Sequence, residues 1–214
     1  MVETSPEQTR ERILRAAAEL FADGGLHGTG IRAICEKAGT NSASVNYYFH
    51  SKENLYIEVF RSLFDGFKQV FQSIPDKIHD AASWRAALTE WVEYSLRASI
   101  SDDPRDRWII QLVSHERTDP TSAMPILQKQ FFDPLKASIR RIVTMGMPAD
   151  STDFDVHLVT ISLMAQCTVY HHRKPPWDKL LIPPGVDHET WISRTTQFIV
   201  EGITCRLSFR TTHV

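Results

Sequence analysis

Residues 29–52 read Thr29-Gly30-Ile31-Arg32-Ala33-Ile34-Cys35-Glu36-Lys37-Ala38-Gly39-Thr40-Asn41-Ser42-Ala43-Ser44-Val45-Asn46-Tyr47-Tyr48-Phe49-His50-Ser51-Lys52. Thr29 is placed to cap a short helix whose inward face is Ile31, Ile34, Cys35 and Ala38. Gly39 follows where a left-handed residue ends a helix. Asn41 or Ser42 then caps a second short helix, with Val45, Tyr48 and Phe49 on its buried side. Two short helices joined by a glycine turn of about three to four residues make a helix-turn-helix. The small residues Ala38 and Ala43 on either side of the turn let the two helices cross closely.

The outward residues suit DNA. The second helix begins with Asn41, Ser42, Ala43 and Ser44, small enough for a major groove to close around them. Asn46 has the side chain to pair with an adenine edge, while Tyr47, Tyr48 and Lys52 reach phosphates. The same spacing is also met by an ordinary two-helix corner with Tyr47, Tyr48 and Phe49 in the core.

Helical period extends in both directions. Upstream, Ile13, Ala17, Leu20 and Phe21 fall on one face, and Gly24-Gly25 stops that helix. Downstream, Phe60, Leu63, Phe64, Phe67 and Phe71 keep the spacing, with Ser51 as N-cap and Glu53 in the dipole-favoured first turn. Further helices are expected over 83–100, 104–117, 121–146, 153–173 and 187–209. Pro125 suits a first turn, whereas Pro134 removes a hydrogen bond from the 121–146 helix and kinks it. Lys174-Pro175-Pro176-Trp177 through Pro183-Pro184-Gly185 reads as a loop. No segment alternates as a strand would. The fold expected is all-α: an N-terminal three-helix helix-turn-helix domain over 1–55, then a larger helical domain over 56–214.

Composition bounds the function. With 214 residues, 42% hydrophobic and 23% charged, the chain is an ordinary globular one. Cys35, Cys167 and Cys205 are odd in number and far apart, so no disulfide framework is expected and a reducing cytosol fits. The polar, acidic N-terminus is unlike a signal peptide, and no apolar run approaches the ~18–20 residues of a membrane span. A cytoplasmic protein without membrane contact is expected. The net charge of −2 argues on average against a nucleic-acid binder. Residues 1–61 hold seven Lys+Arg against eight Asp+Glu, so the domain average is no better. Only the 29–52 window is positive, with Arg32, Lys37 and Lys52 against Glu36. That pattern implies a modest electrostatic grip and a larger share for shape and base contacts.

The stretch from about residue 8 to 60 resembles the DNA-binding domain of TetR-family transcriptional repressors. The resemblance rests on Ile13-Leu14, Ala16-Ala17, Leu20-Phe21, Gly25, Thr29 through Ile34, Ala38-Gly39, and Tyr47-Tyr48-Phe49 with Ser51-Lys52 and Leu55. Val45 through Phe49, together with Glu116 to Thr121 and Phe131-Phe132 before Pro134-Leu135, is similar to the CecR-type branch. The chain departs from the usual pattern at Cys35, Thr40 and Asn46. The resemblance implies base-proximal roles for Arg32, Ser42, Ala43 and Asn46, and phosphate contacts for Thr29, Ser44, Tyr47, Tyr48 and Lys52. It also implies a regulator, in most relatives a repressor, that leaves a palindromic double-stranded operator when a small organic effector binds.

The remaining helices would then hold an effector pocket and a homodimer face. Phe154, Leu158, Ile161, Ala165 and Thr168 form one stripe; Trp191, Thr195, Phe198, Ile199, Gly202 and Ile203 form another. Two such helices per subunit make a four-helix bundle, although either stripe can also face the monomer's own core. Polar or aromatic residues interrupting apolar faces are the pocket candidates: Trp91, Tyr94, Trp108 and Gln111, then His115, Phe131, Gln166 and Tyr170.

The alternative from another class is a helical enzyme or metal-binding protein with an incidental helix-turn-helix. His115-Glu116 and His171-His172, with His157, offer metal-ligating side chains but not the His-Glu-x-x-His spacing. Neither a Ser-His-acid order nor a phosphate-binding glycine loop occurs. No catalytic site, metal or cofactor is expected. Cys35, on an inward face, reads as a packing residue.

Overall fold

A computed structural model describes residues 5–171 and 182–205. Among these residues every regular element is helical. The chain divides into two compact units, Met1–Phe67 with Asp103–Phe132, and Lys68–Asp102 with Asp133–Val214. Residues 172–181, which hold most of the expected proline-rich loop, lie outside the described residues, as do 206–209 at the expected end of the last helix.

In the first unit, α1 spans Pro6–Gly28. A reciprocal capping box starts it: Ser5 Oγ accepts from Gln8 N, and Gln8 Oε1 accepts from Ser5 N. Ile13, Ala17 and Phe21 are fully buried. The expected stop at Gly24-Gly25 is instead a break: Gly25 takes φ +64 and ψ −176, and helical turns resume to Gly28. Only glycine adopts that backbone without strain. Next, α2 spans Ile31–Ala38 and ends at Gly39, whose φ of 62 and ψ of 45 are left-handed as expected. Thr40 N donates to the Cys35 carbonyl at 2.9 Å, closing the turn. Thr29 does not cap α2. Gly30 holds the N-cap position, and the Thr29 hydroxyl donates backward to the Leu20 carbonyl at 2.9 Å.

Helix α3 spans Ser42–Phe49 and is capped by Asn41, whose Oδ1 accepts from Ser44 N at 3.0 Å. Val45 and Phe49 are buried; Tyr48 is half-buried. Helix α4 spans Lys52–Ser73, with Ser51 Oγ accepting from Asn54 N as an N-cap should. Helix α6 spans Pro104–Thr118 and α7 Met124–Leu127. The core of this unit joins Phe21, Ile34, Val45, Phe49, Tyr56 and Phe60 to Leu112, Leu127 and Phe131.

In the second unit, α5 spans Ala81–Ile100, α8 Asp133–Gly146, α9 Asp153–Thr168 and α10 His188–Thr204. Trp84 Nε1 donates to the Ile142 carbonyl at 2.9 Å, fastening α5 to α8. Arg97 Nη1 and Nη2 grip the Glu189 carboxylate at 2.6 and 2.7 Å, fastening α5 to α10. Pro134 lacks the N–H that the preceding turn needs, and Gln128–Phe132 widens to a π-helical turn just before it.

Candidate nucleic-acid interface

Helix α3 presents a small, polar leading edge. Ser42, Ala43, Asn46 and Tyr47 are exposed, as is Arg32 on α2. Asn41 spends its carbonyl oxygen on the α3 cap, so Ser42 and Ala43 rather than Asn41 form the free tip. Ser44 is half-buried, and its hydroxyl also turns to Asn41 Oδ1 at 3.3 Å. Tyr47 leaves 75% of its surface in water. Its ring stands edge-on to Tyr48 at 4.9 Å, which orients the phenol while keeping it outside the core. The two-helix-corner alternative placed Tyr47, Tyr48 and Phe49 together inside; of these only Phe49 is buried.

Two of the nine DNA-contact candidates are tied into the scaffold. Thr29 is buried and its hydroxyl is engaged by Leu20. Lys52 Nζ donates to the Thr29 carbonyl at 3.2 Å, so the first residue of α4 caps the end of α1. An ammonium has three donors, and two remain for a phosphate.

Three features of the interface were not visible in the local sequence. Lys37 pairs with Glu19 of α1 at 2.6 Å, so part of the positive charge of the 29–52 window is met from outside it. Arg10 of α1 lies over the Phe49 ring, 5.4 Å from its centroid, and pairs with Glu58 of α4 at 2.8 Å. It thereby braces the C-terminal end of α3. His50 closes α3 at φ 65 and ψ −45, a strained backbone for a residue with a Cβ. Cys35 is buried, and burial pushes its thiol pKa up, as suits a packing residue.

The eight pocket candidates fall in both units. In the first, Trp108 is partly buried against the core and Gln111 is half-buried. His115 Nε2 donates to the Ala22 carbonyl at 3.1 Å, and Phe131 lies 5.4 Å from Phe64. In the second, Trp91 and Tyr94 both meet Phe71, at 5.2 and 5.1 Å. Trp91 is 3% exposed and its indole N–H has no hydrogen-bond partner. Tyr170 stands edge-on to Trp191 at 4.8 Å, and Gln166 is half-buried. A shallow groove of about 600 Å³ beside α5 is lined by Arg85, Thr89, Tyr94 and Arg97, and so includes one candidate, Tyr94.

Of the two stripes, that on α9 leaves Phe154, Leu158 and Ile161 exposed. The α10 stripe divides: Trp191 and Ile199 are buried within the unit, while Phe198 is 75% exposed beside exposed Gly202. Among the described residues no three His, Cys, Asp or Glu side chains gather as a metal site. None of the helices described is long and apolar enough to cross a membrane.

Comparison with known proteins places this geometry. Residues 13–59 match the family of bacterial regulatory proteins, tetR family. Residues 85–203 match the C-terminal domain of the HTH-type transcriptional dual regulator CecR. CecR of Shigella flexneri is 25% identical over 207 residues, covering 94% of this chain and 90% of its own. NalD, the secondary repressor of the MexAB-OprM multidrug efflux pump in Pseudomonas aeruginosa, superposes with a TM-score of 0.65 at 19% identity, over 95% of this chain and 98% of that one. The transcriptional regulator FadR from Bacillus subtilis, in complex with stearoyl-CoA, gives 0.64 at 17% identity, over 90% and 98%. The chain belongs to the TetR family of bacterial regulatory proteins, DNA-binding transcriptional regulators of the helix-turn-helix type, and carries a CecR-type C-terminal domain.

Proposed function

We propose that the protein is a homodimeric repressor that holds a palindromic operator with two copies of α3 and releases it when a small organic molecule binds. The observation that carries the reading is the exposed, capped leading edge of α3, where Ser42, Ala43, Asn46 and Tyr47 stand free of the core. Arg32, Ser42, Ala43 and Asn46 are the base-proximal set; Thr29, Ser44, Tyr47, Tyr48 and Lys52 address phosphates, Thr29 through its backbone because its hydroxyl is engaged. Residues 1–55 act as the reading head and 56–214 as the sensing and dimerising body. The protein works in the cytoplasm, beside the chromosome.

Dimerisation is supported by exposed apolar side chains that a monomer has no reason to leave in water. Phe154, Leu158 and Ile161 on α9 and Phe198 on α10 are such a set. A groove of about 430 Å³ adjoins them, lined by Leu158, Val159, Gly202 and Ile203. A second copy laid on this face gives the two heads that a palindrome needs, with recognition helices about 34 Å apart. The effector acts by population shift: it binds more tightly to a form whose heads do not match adjacent major grooves. DNA must then weaken effector binding by the same factor. Its candidate contacts are Trp91, Tyr94, Trp108, Gln111, His115, Phe131, Gln166 and Tyr170, of which buried Trp91 retains an unbonded donor.

Selection of bound duplexes from a random pool tests the reading. A palindromic consensus bound by a dimer is the expected result. Weak, salt-sensitive binding without a consensus overturns it.

A further inference from the structure

Two polar atoms of the second unit are sealed in its core without a partner. Trp91 of α5 is 3% exposed and Thr196 of α10 is 4% exposed; neither the indole Nε1–H nor the hydroxyl has a hydrogen-bond partner. Comparable groups of the same unit are satisfied. Trp84 Nε1 donates to the Ile142 carbonyl, and the buried hydroxyls of Ser99, Ser138 and Thr160 each donate to a backbone carbonyl. A threonine inside a helix can return its hydroxyl to the carbonyl four residues back, as Thr160 does to Val156 at 2.7 Å. Thr196 does not. A buried donor left without a bond is a standing cost to the fold.

Both groups lie at one level of the core. Arg97, in the last turn of α5, pairs with Glu189, in the first turn of α10, at 2.6 Å. The same two helices pack together more extensively than any other described pair. Contact that continues beyond this ion pair requires them to run antiparallel, since a parallel α10 would leave α5 at its end. Going back from Arg97 to Trp91 moves about 9 Å along α5, and going on from Glu189 to Thr196 moves about 10 Å along α10, at roughly 1.5 Å per residue. Trp91 and Thr196 therefore share one layer of the contact between α5 and α10. Aromatic rings adjoin that layer: Phe71 lies 5.2 Å from Trp91, and Trp191, about one turn before Thr196, stands edge-on to Tyr170 at 4.8 Å.

The layer is also uncharged. Among the described residues of this unit the buried polar side chains are Ser99, Ser138, Thr160 and Thr196, and none carries a charge. Arg97, the cation shared by the two helices, is already held by Glu93 and Glu189. A carboxylate or ammonium brought into the layer would be buried without a counter-charge, which a neutral oxygen avoids. Trp91 can only donate, while Thr196 can donate or accept. A carbonyl oxygen, neutral and with two lone pairs, completes both.

We propose that Trp91 Nε1 and Thr196 Oγ1 form the polar end of a ligand site between α5 and α10, which takes an uncharged, mainly apolar or aromatic molecule by its carbonyl oxygen. The inference rests on the effector reading above and names the chemical class of that effector.

Acetophenone, which joins a carbonyl to one ring, is the probe; ethylbenzene lacks the oxygen and benzoate carries a charge. Each is titrated at millimolar concentration into the intact protein with isotope-labelled indoles, followed by nuclear magnetic resonance. Trp91→Phe identifies the Trp91 signal among the five tryptophans, and the comparison with Thr196→Val needs no such assignment. Acetophenone is expected to move the Trp91 indole proton downfield and slow its exchange with water, while Trp84, already bonded to Ile142, keeps its position. Ethylbenzene and benzoate should bind at least about tenfold more weakly, and Thr196→Val should weaken acetophenone about tenfold with little change for ethylbenzene. Thr196→Val keeps the shape of the side chain and removes an unbonded hydroxyl, so it should fold as the parent does. An unmoved Trp91 signal means that water alone meets the two groups, and overturns the site. So does ethylbenzene or benzoate bound as tightly as acetophenone, or acetophenone bound equally by Thr196→Val. Failure of the regulator reading shows in the duplex selection, which contains no ligand; failure of this site shows in the titration, which contains no DNA.

Discussion

Lys52 Nζ and the Thr29 carbonyl lie 3.2 Å apart, so the residue that opens α4 also closes the end of α1. The bond spans the helix-turn-helix from one end to the other. It separates two roles for Lys52, a hydrogen bond from its ammonium to a carbonyl that serves the fold and, on the reading proposed above, a charge that serves DNA. Lys52→Gln keeps a donor for the carbonyl and removes the charge; Lys52→Ala removes both. Both variants are expected to bind all duplexes more weakly and to flatten the dependence of log affinity on log salt by about one. Only Lys52→Ala should also melt earlier, by the equivalent of about 1 kcal/mol for a hydrogen bond. Anisotropy titrations over a salt series, with melting curves, check both halves. An unchanged salt slope removes Lys52 from the phosphate contacts.

Asn46 is the exposed amide on α3, and an asparagine amide can pair with both hydrogen-bonding groups on the major-groove edge of adenine. Asn46→Ala should cost about 1–3 kcal/mol on the cognate operator and relax preference at one position of each half-site. Binding to random duplexes should stay as it was. Competition against single-base operator variants measures this, and equal losses on cognate and random DNA would assign Asn46 a general contact instead.

Much of this head was legible because its determinants are local. Gly39 and Asn41 act within their own turn, through a left-handed backbone and a cap, and both follow from residue type and spacing. Thr29 reads as a cap from spacing, but its partner, Leu20, lies nine residues back across a break in α1 that spacing presents as a stop. The charge of the 29–52 window was overstated for a similar reason: Glu19, remote in sequence, meets Lys37. His50 carried no signal, since nothing in its neighbours announces a positive φ. Helical period also could not divide the α10 stripe, whose Phe198 and Ile199 are adjacent in sequence yet face water and core respectively. The pocket candidates are polar or aromatic interruptions of apolar faces. Tyr94 and Tyr170 meet rings of their own unit, contacts that period cannot foresee.

Helix α5 begins with a capping box whose acid should be visible in the pH dependence of stability. Asp80 Oδ1 accepts from Ser83 N at 2.7 Å and from Ser83 Oγ at 2.6 Å. The Ser83 hydroxyl and backbone bonds hold the Asp80 carboxyl below its ordinary range, with a smaller assist from His79. A depressed folded-state pKa adds stability that is complete above the unfolded value, about 3.9, and is lost as pH falls through the folded value. Asp80→Asn keeps the cap and removes the titration. The parent should therefore melt higher than Asp80→Asn at neutral pH, and the gap should close below about pH 4. Melting curves across that range test the cap, and a gap independent of pH rules out its ionised form as the stabilising one.

Gly146 ends α8 directly beneath Trp84 of α5. A Cβ there would stand 2.2 Å from Trp84 Cζ2 and 2.7 Å from Cε2, closer than van der Waals contact permits. Trp84 cannot easily yield, because it is 4% exposed and its indole N–H is fixed to the Ile142 carbonyl at 2.9 Å. Gly146→Ala should therefore cost about 1–3 kcal/mol of stability through overpacking, although alanine is the better helix former by roughly 1 kcal/mol. The sign thus separates crowding from propensity. Adding Trp84→Phe, which opens space while giving up the indole bond, should recover part of the loss in the Gly146→Ala background and be destabilising alone. Denaturant melts of the two single variants and the double variant measure the coupling. If Gly146→Ala melts higher than the parent, the close approach of α5 to α8 is not tight enough to demand glycine.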